Sequence, residues 1–278
     1  MIATLYASVD WLKAATSDGR LPARGYYIQD FEPFFFSENS REYRLACQSY
    51  TRHPDLIRIT KTEWNRETVR TQIGVDCTVI GPSVDLDLYR PRRQRDPAWP
   101  SGPLRVAAMI RPSSPRRQPR LTMEILRELH RAHGADVDII LFGCGSHDPG
   151  FVELPHDFAW RNAGVLKPSQ LALLLNECDI FVDFSSFQAM GLTAMEAMAC
   201  GATVIVPQNG GASSFARPGE NCLTADTASR DACWEALKRL VVDEPLRQRL
   251  RRQALWDIVQ YFPEQAAYNT LAALFPHE

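Results

Sequence analysis

From Leu104 to its last residues the sequence alternates between short apolar runs and longer segments of helical period, and few folds accept that pattern. LRVAAMI (104–110), VDIILFG (137–143), DIFVDF (179–184) and ATVIV (202–206) read as strands. Their near-continuous apolar character fits parallel strands covered on both faces. LTMEILRELHRAHG (121–134) reads as a helix closed by glycine, and WRNAGVL (160–166) as a short strand. Lys167-Pro168-Ser169 opens a helix whose Leu171, Leu174, Leu175 and Cys178 share one face. Further helices are expected at 191–199, 228–242, 245–260 and 264–274. This alternation predicts an α/β fold with a doubly wound parallel sheet.

Residues 1–90 follow a looser version of the same pattern. ARGYYIQD (23–30), DLIRIT (55–60) and CTVIG (77–81) read as strands, with helical stretches near 4–15, 39–51 and 62–73. The stretch RPRRQRDPAWPSGP (90–103) holds four prolines and four arginines, the composition of an exposed linker. A boundary near residue 95 therefore divides the chain into domains 1–95 and 96–278. A complete dinucleotide-type domain needs more strands than the first domain supplies, so that domain is expected to be incomplete.

Composition narrows the function classes. The net charge of −2 creates no global field for nucleic acid or anionic lipid, and the basic clusters at 90–95, 111–120 and 247–252 lie far apart. Seven cysteines form no C-x-x-C pair and several lie in apolar stretches, which suits reduced core thiols rather than disulfides or zinc. No run approaches the ~20 apolar residues of a membrane span, and the N-terminus lacks a signal pattern. The expected location is cytoplasmic, with RQRLRR (247–252) as a candidate contact to the inner membrane face.

Ligands of open parallel sheets sit beyond the carboxyl ends of the strands. Three loops there carry suggestive residues. In MIRPSSPRRQ (109–118), Arg111 emerges from a strand end and Arg116 and Arg117 follow a proline-stiffened turn. Such guanidinium groups can grip a pyrophosphate, or form a basic surface loop. In FSSFQAMGL (184–192), Gly191 lets backbone approach a ligand, and free amides at the following helix start favour an anion. On that helix Leu192, Met195, Met198 and Ala199 can face the core. Glu196, flanked by apolar neighbours, needs a partner: a ribose diol, a salt bridge or a backbone amide. In PQNGGASSF (207–215), adjacent glycines permit a tight turn with exposed amides.

Taken in order, these stretches resemble the C-terminal domain of family 4 (group 1) glycosyltransferases, which have two Rossmann-like domains in the GT-B arrangement. The likeness runs from about 104 to 275 and is most specific at GLTAMEAMACGATVIVPQNGG (191–211). VDLDLYRP (84–91) is similar to the segment preceding the family's linker. The resemblance implies that Glu196 holds the ribose of a nucleotide-sugar donor, with Gly143, Gly191 and Leu192 among the donor contacts. Arg111 and one of Arg116 and Arg117 would take the family's basic pair. Where the family places a second acid, near the donor sugar and phosphate and eight residues before the ribose acid, this chain has Gln188. The amide keeps an acceptor oxygen, adds a donor and lacks the charge.

A narrower resemblance, carried by YYIQDFEPFFF (26–36), RPSSPRR (111–117) and GVLKPSQLALLL (164–175), is to bacterial rhamnosyltransferases that use dTDP-L-rhamnose. It implies that Lys167 joins Arg111 at the diphosphate, and that Asp30 and Glu32 serve the donor sugar or acceptor. QDFEPFFF reads equally as a packed aromatic loop. The activity implied is transfer of a sugar from a dTDP-, UDP- or GDP-sugar to a glycan or lipid-linked acceptor. Retention at the anomeric carbon and no metal or further cofactor go with it. The alternative is a truncated, non-catalytic donor-binding module, suggested by Gln188 and the short front domain; in that reading the missing part is lost, removed or supplied by a partner chain.

Overall fold

The computed structural model describes residues 1–15, 23–92 and 102–276. Most of the expected proline–arginine linker lies outside them. The first part of the chain runs β1 (Ile2–Ala3), α1 (Ser8–Ala15), β2 (Gly25–Ile28), α2 (Arg41–Ser49), β3 (Ile57–Thr60), α3 (Glu63–Ile73) and β4 (Thr78–Val79). Its strands form a parallel sheet in the order β1-β2-β3-β4. Side-chain caps start the helices: Ser40 accepts from Tyr43 N, and Thr62 from Asn65 N. Gly74, at φ 83°, ends α3 in the left-handed conformation that a side chain resists. Tyr26, Ile28, Phe31, Tyr50 and Val69 fill the core of this unit.

The second part runs β5 (Leu104–Met109), α4 (Pro119–His133), β6 (Val137–Phe142), α5 (Pro149–Val152), β7 (Arg161–Asn162), α6 (Pro168–Glu177), β8 (Ile180–Val182) and α7 (Leu192–Ala199). It continues through β9 (Thr203–Pro207), β10 (Leu223–Ala225), α8 (Arg230–Val242) and α9 (Glu244–Ile258). The six strands are parallel, in the order β10-β9-β8-β5-β6-β7. From β5 the chain winds outward through β6 and β7, then returns to β8 on the other side. The strand order therefore reverses between β5 and β8, the place where open sheets bind ligands. Val106, Ala108, Ile139, Leu141, Ile180, Val182 and Ile205 make the buried centre of the sheet.

The expected strands and helices recur with ends shifted by a few residues, and β1 and α5 join them unannounced by the sequence pattern. β10 escaped notice in the sequence because only Leu223 to Ala225 pair, between turn residues. β7 is only two residues long, although Ala163 N still donates to Leu141 O and Gly164 O accepts from Gly143 N beyond it. The compact units divide differently from the boundary drawn near residue 95: they comprise 1–83 with 261–278, and 84–260. The final helix, α10 (Pro263–Leu274), belongs to the first unit. Its Asn269 donates to Ile80 O at 2.9 Å, and Leu274 lies against Gly25.

Candidate functional site

The carboxyl edge of the six-stranded sheet gathers the residues singled out in the sequence. Arg111 stands one residue beyond buried Ile110 at the tip of β5, exposed, with its Nε 3.4 Å from Met109 Sδ. The following turn, Pro115–Arg117, places its two arginines against the loop after β8. Arg116 lies over the Phe187 ring, 5.5 Å from its centre, and Arg117 Nη1 is 3.9 Å from Asp183 Oδ2. Ser186 fastens the two loops, donating from its N (2.8 Å) and its hydroxyl (3.0 Å) to Arg116 O.

Gly143 ends β6 at φ 104°, and its N donates to Gly164 O at 2.8 Å. A Cβ there would meet Ile110 O at 2.8 Å, so this glycine is required by the packing of the β5 and β6 ends. Lys167 caps α6 on the surface, where its N donates to Gln170 Oε1 at 2.9 Å.

Beyond β8, Gly191 adopts φ 87° and starts α7. Met195, Met198 and Ala199 face the core as expected, but Leu192 does not: it is 42% exposed at the helix start. Glu196, one turn further, is only 7% exposed. Among the described residues the side chain that interacts with its carboxyl is Tyr89, through the hydroxyl, a group not considered from the sequence. Burial pushes the Glu196 carboxyl up to about 7, and the Tyr89 hydrogen bond draws it only partly back. Burial and the neighbouring carboxylate hold the Tyr89 hydroxyl above its ordinary range.

Gln188 is buried and its amide is engaged. Nε2 donates to Asp183 Oδ2 at 3.1 Å and to Ser185 Oγ at 2.9 Å. Its backbone rests on the glycine pair after β9, with Gly211 N donating to Gln188 O. At Gly210 (φ 126°) a Cβ would lie 2.6 Å from Gln188 O and 2.8 Å from Gln188 N. The NGG turn, a weak signal in sequence, is thus a close backbone seat for the loop that carries Gln188.

In the front unit Asp30 is half-buried, its Oδ1 accepting from Phe31 N at 2.9 Å. Glu32, expected to face a sugar or acceptor, instead turns inward. It is 4% exposed, both oxygens accept from Tyr6 N (3.2 and 3.0 Å), and burial raises its carboxyl. The packed-loop reading of QDFEPFFF holds for Phe31, stacked on Tyr50, while Phe34 and Phe35 remain exposed.

The arrangement provides cationic Arg111, a loop stiffened by Arg116 and Arg117, a helix start behind Gly191, and one buried carboxylate. Such an edge can hold an anion next to a hydroxyl-bearing group. Among the described residues no cluster of histidine, cysteine or acid is placed to hold a metal, and no helix is long and apolar enough to cross a membrane. Sequence reasoning missed Tyr89 and Asp183. Tyr89 stood inside the quoted VDLDLYRP, and Asp183 was absorbed into a strand.

Residues 161–255 match the family model described as "Glycosyl transferases group 1". The O-antigen biosynthesis protein RfbC of Myxococcus xanthus is 30% identical over 84% of this chain, which spans 18% of that protein. A D-inositol 3-phosphate glycosyltransferase of Corynebacterium glutamicum is 27% identical over 64% of the chain and 46% of its own length. The chain thus spans less than half of these curated relatives. Among solved structures, Anabaena Alr3699/HepE in complex with UDP and glucose matches with a TM-score of 0.77 at 18% identity, over 98% of this chain and 76% of its own. With its motifs, matched segment and paired parallel α/β sheets in agreement, the chain belongs to the group 1 (family 4) glycosyltransferases of GT-B fold.

Proposed function

We propose that residues 84–260 bind a nucleotide-sugar donor and that the protein of which they are part transfers its sugar to a glycan or lipid-linked acceptor. One observation carries this reading. Arg111 and the α7 helix bearing Glu196 follow adjacent parallel strands, β5 and β8, so both stand at one edge of one sheet where its order reverses. Had the sheet placed them at opposite ends, no small molecule could have touched both. A nucleoside diphosphate fits the pair: the diphosphate against Arg111 and the amides behind Gly191, the ribose diol donating to Glu196.

Transfer breaks the anomeric C–O bond and leaves charge on the departing diphosphate. Arg111, Lys167 and the α7 amides would stabilise that charge without a metal, the electrostatic effect expected to dominate such a step. Arg116 and Arg117 serve at one remove, by fixing the loop that carries Gln188. Retention at the anomeric carbon and a rhamnose donor follow from the family likeness. UDP and glucose in the related Anabaena structure favour testing a uridine donor as well.

The experiment is nucleotide protection. UDP, GDP and dTDP are each added at millimolar concentration, and at least one should raise the melting temperature in wild type and far less in Arg111→Ala. No shift with any of the three would end the donor-site reading.

A further inference from the structure

The amide at 188 stands beside a carboxylate that the sequence offered only as a strand residue. Asp183 follows β8 directly and is half-buried. Its Oδ2 accepts from Gln188 Nε2 at 3.1 Å and lies 3.9 Å from Arg117 Nη1. Its Oδ1 accepts from Ser185 N at 3.0 Å and from the Ser185 hydroxyl. That hydroxyl oxygen in turn accepts from Gln188 Nε2 at 2.9 Å. Both hydrogens of the Gln188 amide are thereby committed to one side, which leaves Oε1 as the group it can offer. A flipped amide would set Oε1 against Asp183 Oδ2, two acceptors with no hydrogen between them. The backbone of Gln188 is held as firmly, seated on Gly210 and Gly211.

We propose that Asp183 is a positioning residue for the sugar end of the donor, locking the Gln188 amide so that Oε1 is presented as an acceptor to a sugar hydroxyl. The inference rests on the donor-site reading above. It resolves the departure at position 188 from the family pattern: the negative charge is retained five residues earlier, close to Arg117, and reaches the sugar through the amide. Gln188 is then half of a working pair rather than a mark of an inert module.

The pair makes a counter-intuitive demand. Gln188→Glu, which restores the family's acid, would set a second carboxylate about 3 Å from Asp183, and two like charges at that distance resist joint ionisation. The single variant should therefore bind donor worse than wild type. Asp183→Asn with Gln188→Glu exchanges the roles, since the new amide can donate to the new carboxylate, and should recover binding.

The test is isothermal titration on the full chain. UDP-glucose, GDP-mannose and dTDP-rhamnose are each compared with the matching nucleoside diphosphate, in wild type, D183N, Q188E and the double variant. In D183N and Q188E the nucleotide sugar should weaken about tenfold while the bare diphosphate stays within about twofold. The double variant should return to within about threefold of wild type. In turnover assays D183N should raise KM for the donor more than it lowers kcat. Equal weakening of diphosphate and nucleotide sugar would reduce Asp183 to a structural residue and overturn the proposal. So would tighter donor binding by Q188E, or a double variant no better than its singles. If wild type binds none of the six ligands, the donor-site reading fails and the sugar role falls with it. Melting then judges the lock alone, which requires Q188E to lower the midpoint and the double variant to recover it.

Discussion

Glu196→Gln separates the cost of burying a carboxylate from its use. Burial raises Glu196 from 4.5 to about 7, so the folded chain holds this proton more tightly than the unfolded chain does. Below pH 4.5 the group is neutral in both states and carries no penalty. Between pH 4.5 and 7 the unfolded chain ionises first, and stability falls; above pH 7 the whole penalty is present. At about 1.4 kcal/mol for each tenfold change in the proton equilibrium, the penalty is about 3 kcal/mol. Glutamine has the same shape, stays neutral, and can accept from Tyr89 through its amide oxygen. Its own cost of burial does not change with pH, so the pH-dependent part of the difference belongs to the carboxylate. In melts without nucleotide from pH 4.5 to 8.5, E196Q should gain on wild type as pH rises. At about 2–4 °C per kcal/mol for a protein of this size, the gain is roughly 6–12 °C. Parallel Tm curves for the two proteins, separated by a constant offset, would refute the reasoning. Excess nucleotide should reverse the order at pH 8, because the glutamine loses the charge that receives the ribose hydroxyls.

Nucleoside diphosphate affinity in wild type should rise between pH 6 and 8 as Glu196 ionises, and titration calorimetry at several pH values should show that rise vanish in E196Q. Gly210→Ala combines a φ of 126° with a 2.6 Å approach to Gln188 O, so the loop must move. It should cost about 3 kcal/mol in urea unfolding and abolish donor protection, and a loss below about 1 kcal/mol would show that the seat is not rigid. Asp257 is buried and accepts from Asn221 Nδ2 (2.9 Å) and Gln253 Nε2 (2.8 Å), besides pairing with Arg217. Asp257→Ala should destabilise by about 3 kcal/mol in chemical denaturation, and retention of the wild-type midpoint would contradict that network.

The sheet of the second unit was legible because parallel strands covered on both faces leave unbroken apolar runs, as in ATVIV and VDIILF. The edge of that sheet was legible as well, since strand ends follow from the strands and Arg111, Gly191 and Glu196 are named by position. What the sequence hides is the direction in which side chains turn. Glu32 and Asp30 are two residues apart in one loop, yet one is buried under the Tyr6 amide and the other half-exposed. Leu192 has the apolar character of a core residue, and only its place at the first turn of α7 leaves it outside. Partners distant in sequence are equally hidden: Tyr89 meets Glu196 across more than a hundred residues, and Thr227 donates to Ser185 O across 42. Arg116 and Arg117 were named as members of a basic pair at the end of β5. Their engagement with Phe187 and Asp183 depends on a loop-to-loop contact no local pattern encodes.

The return of α10 to the first unit bears on how the chain is made. Residues 84–260 are contiguous and can close as soon as the ribosome has released them. The front unit cannot, because Leu274, which covers Gly25, and Asn269, which ties down Ile80, follow the whole of the rear unit along the chain. The segment before residue 84 must therefore wait, with an unfinished core, until α10 has followed the rear unit out. The order of the two units along the chain is thus opposite to the order in which they can fold, and a chain that had emerged only as far as residue 260 would present a finished rear unit tethered to an unfinished front one.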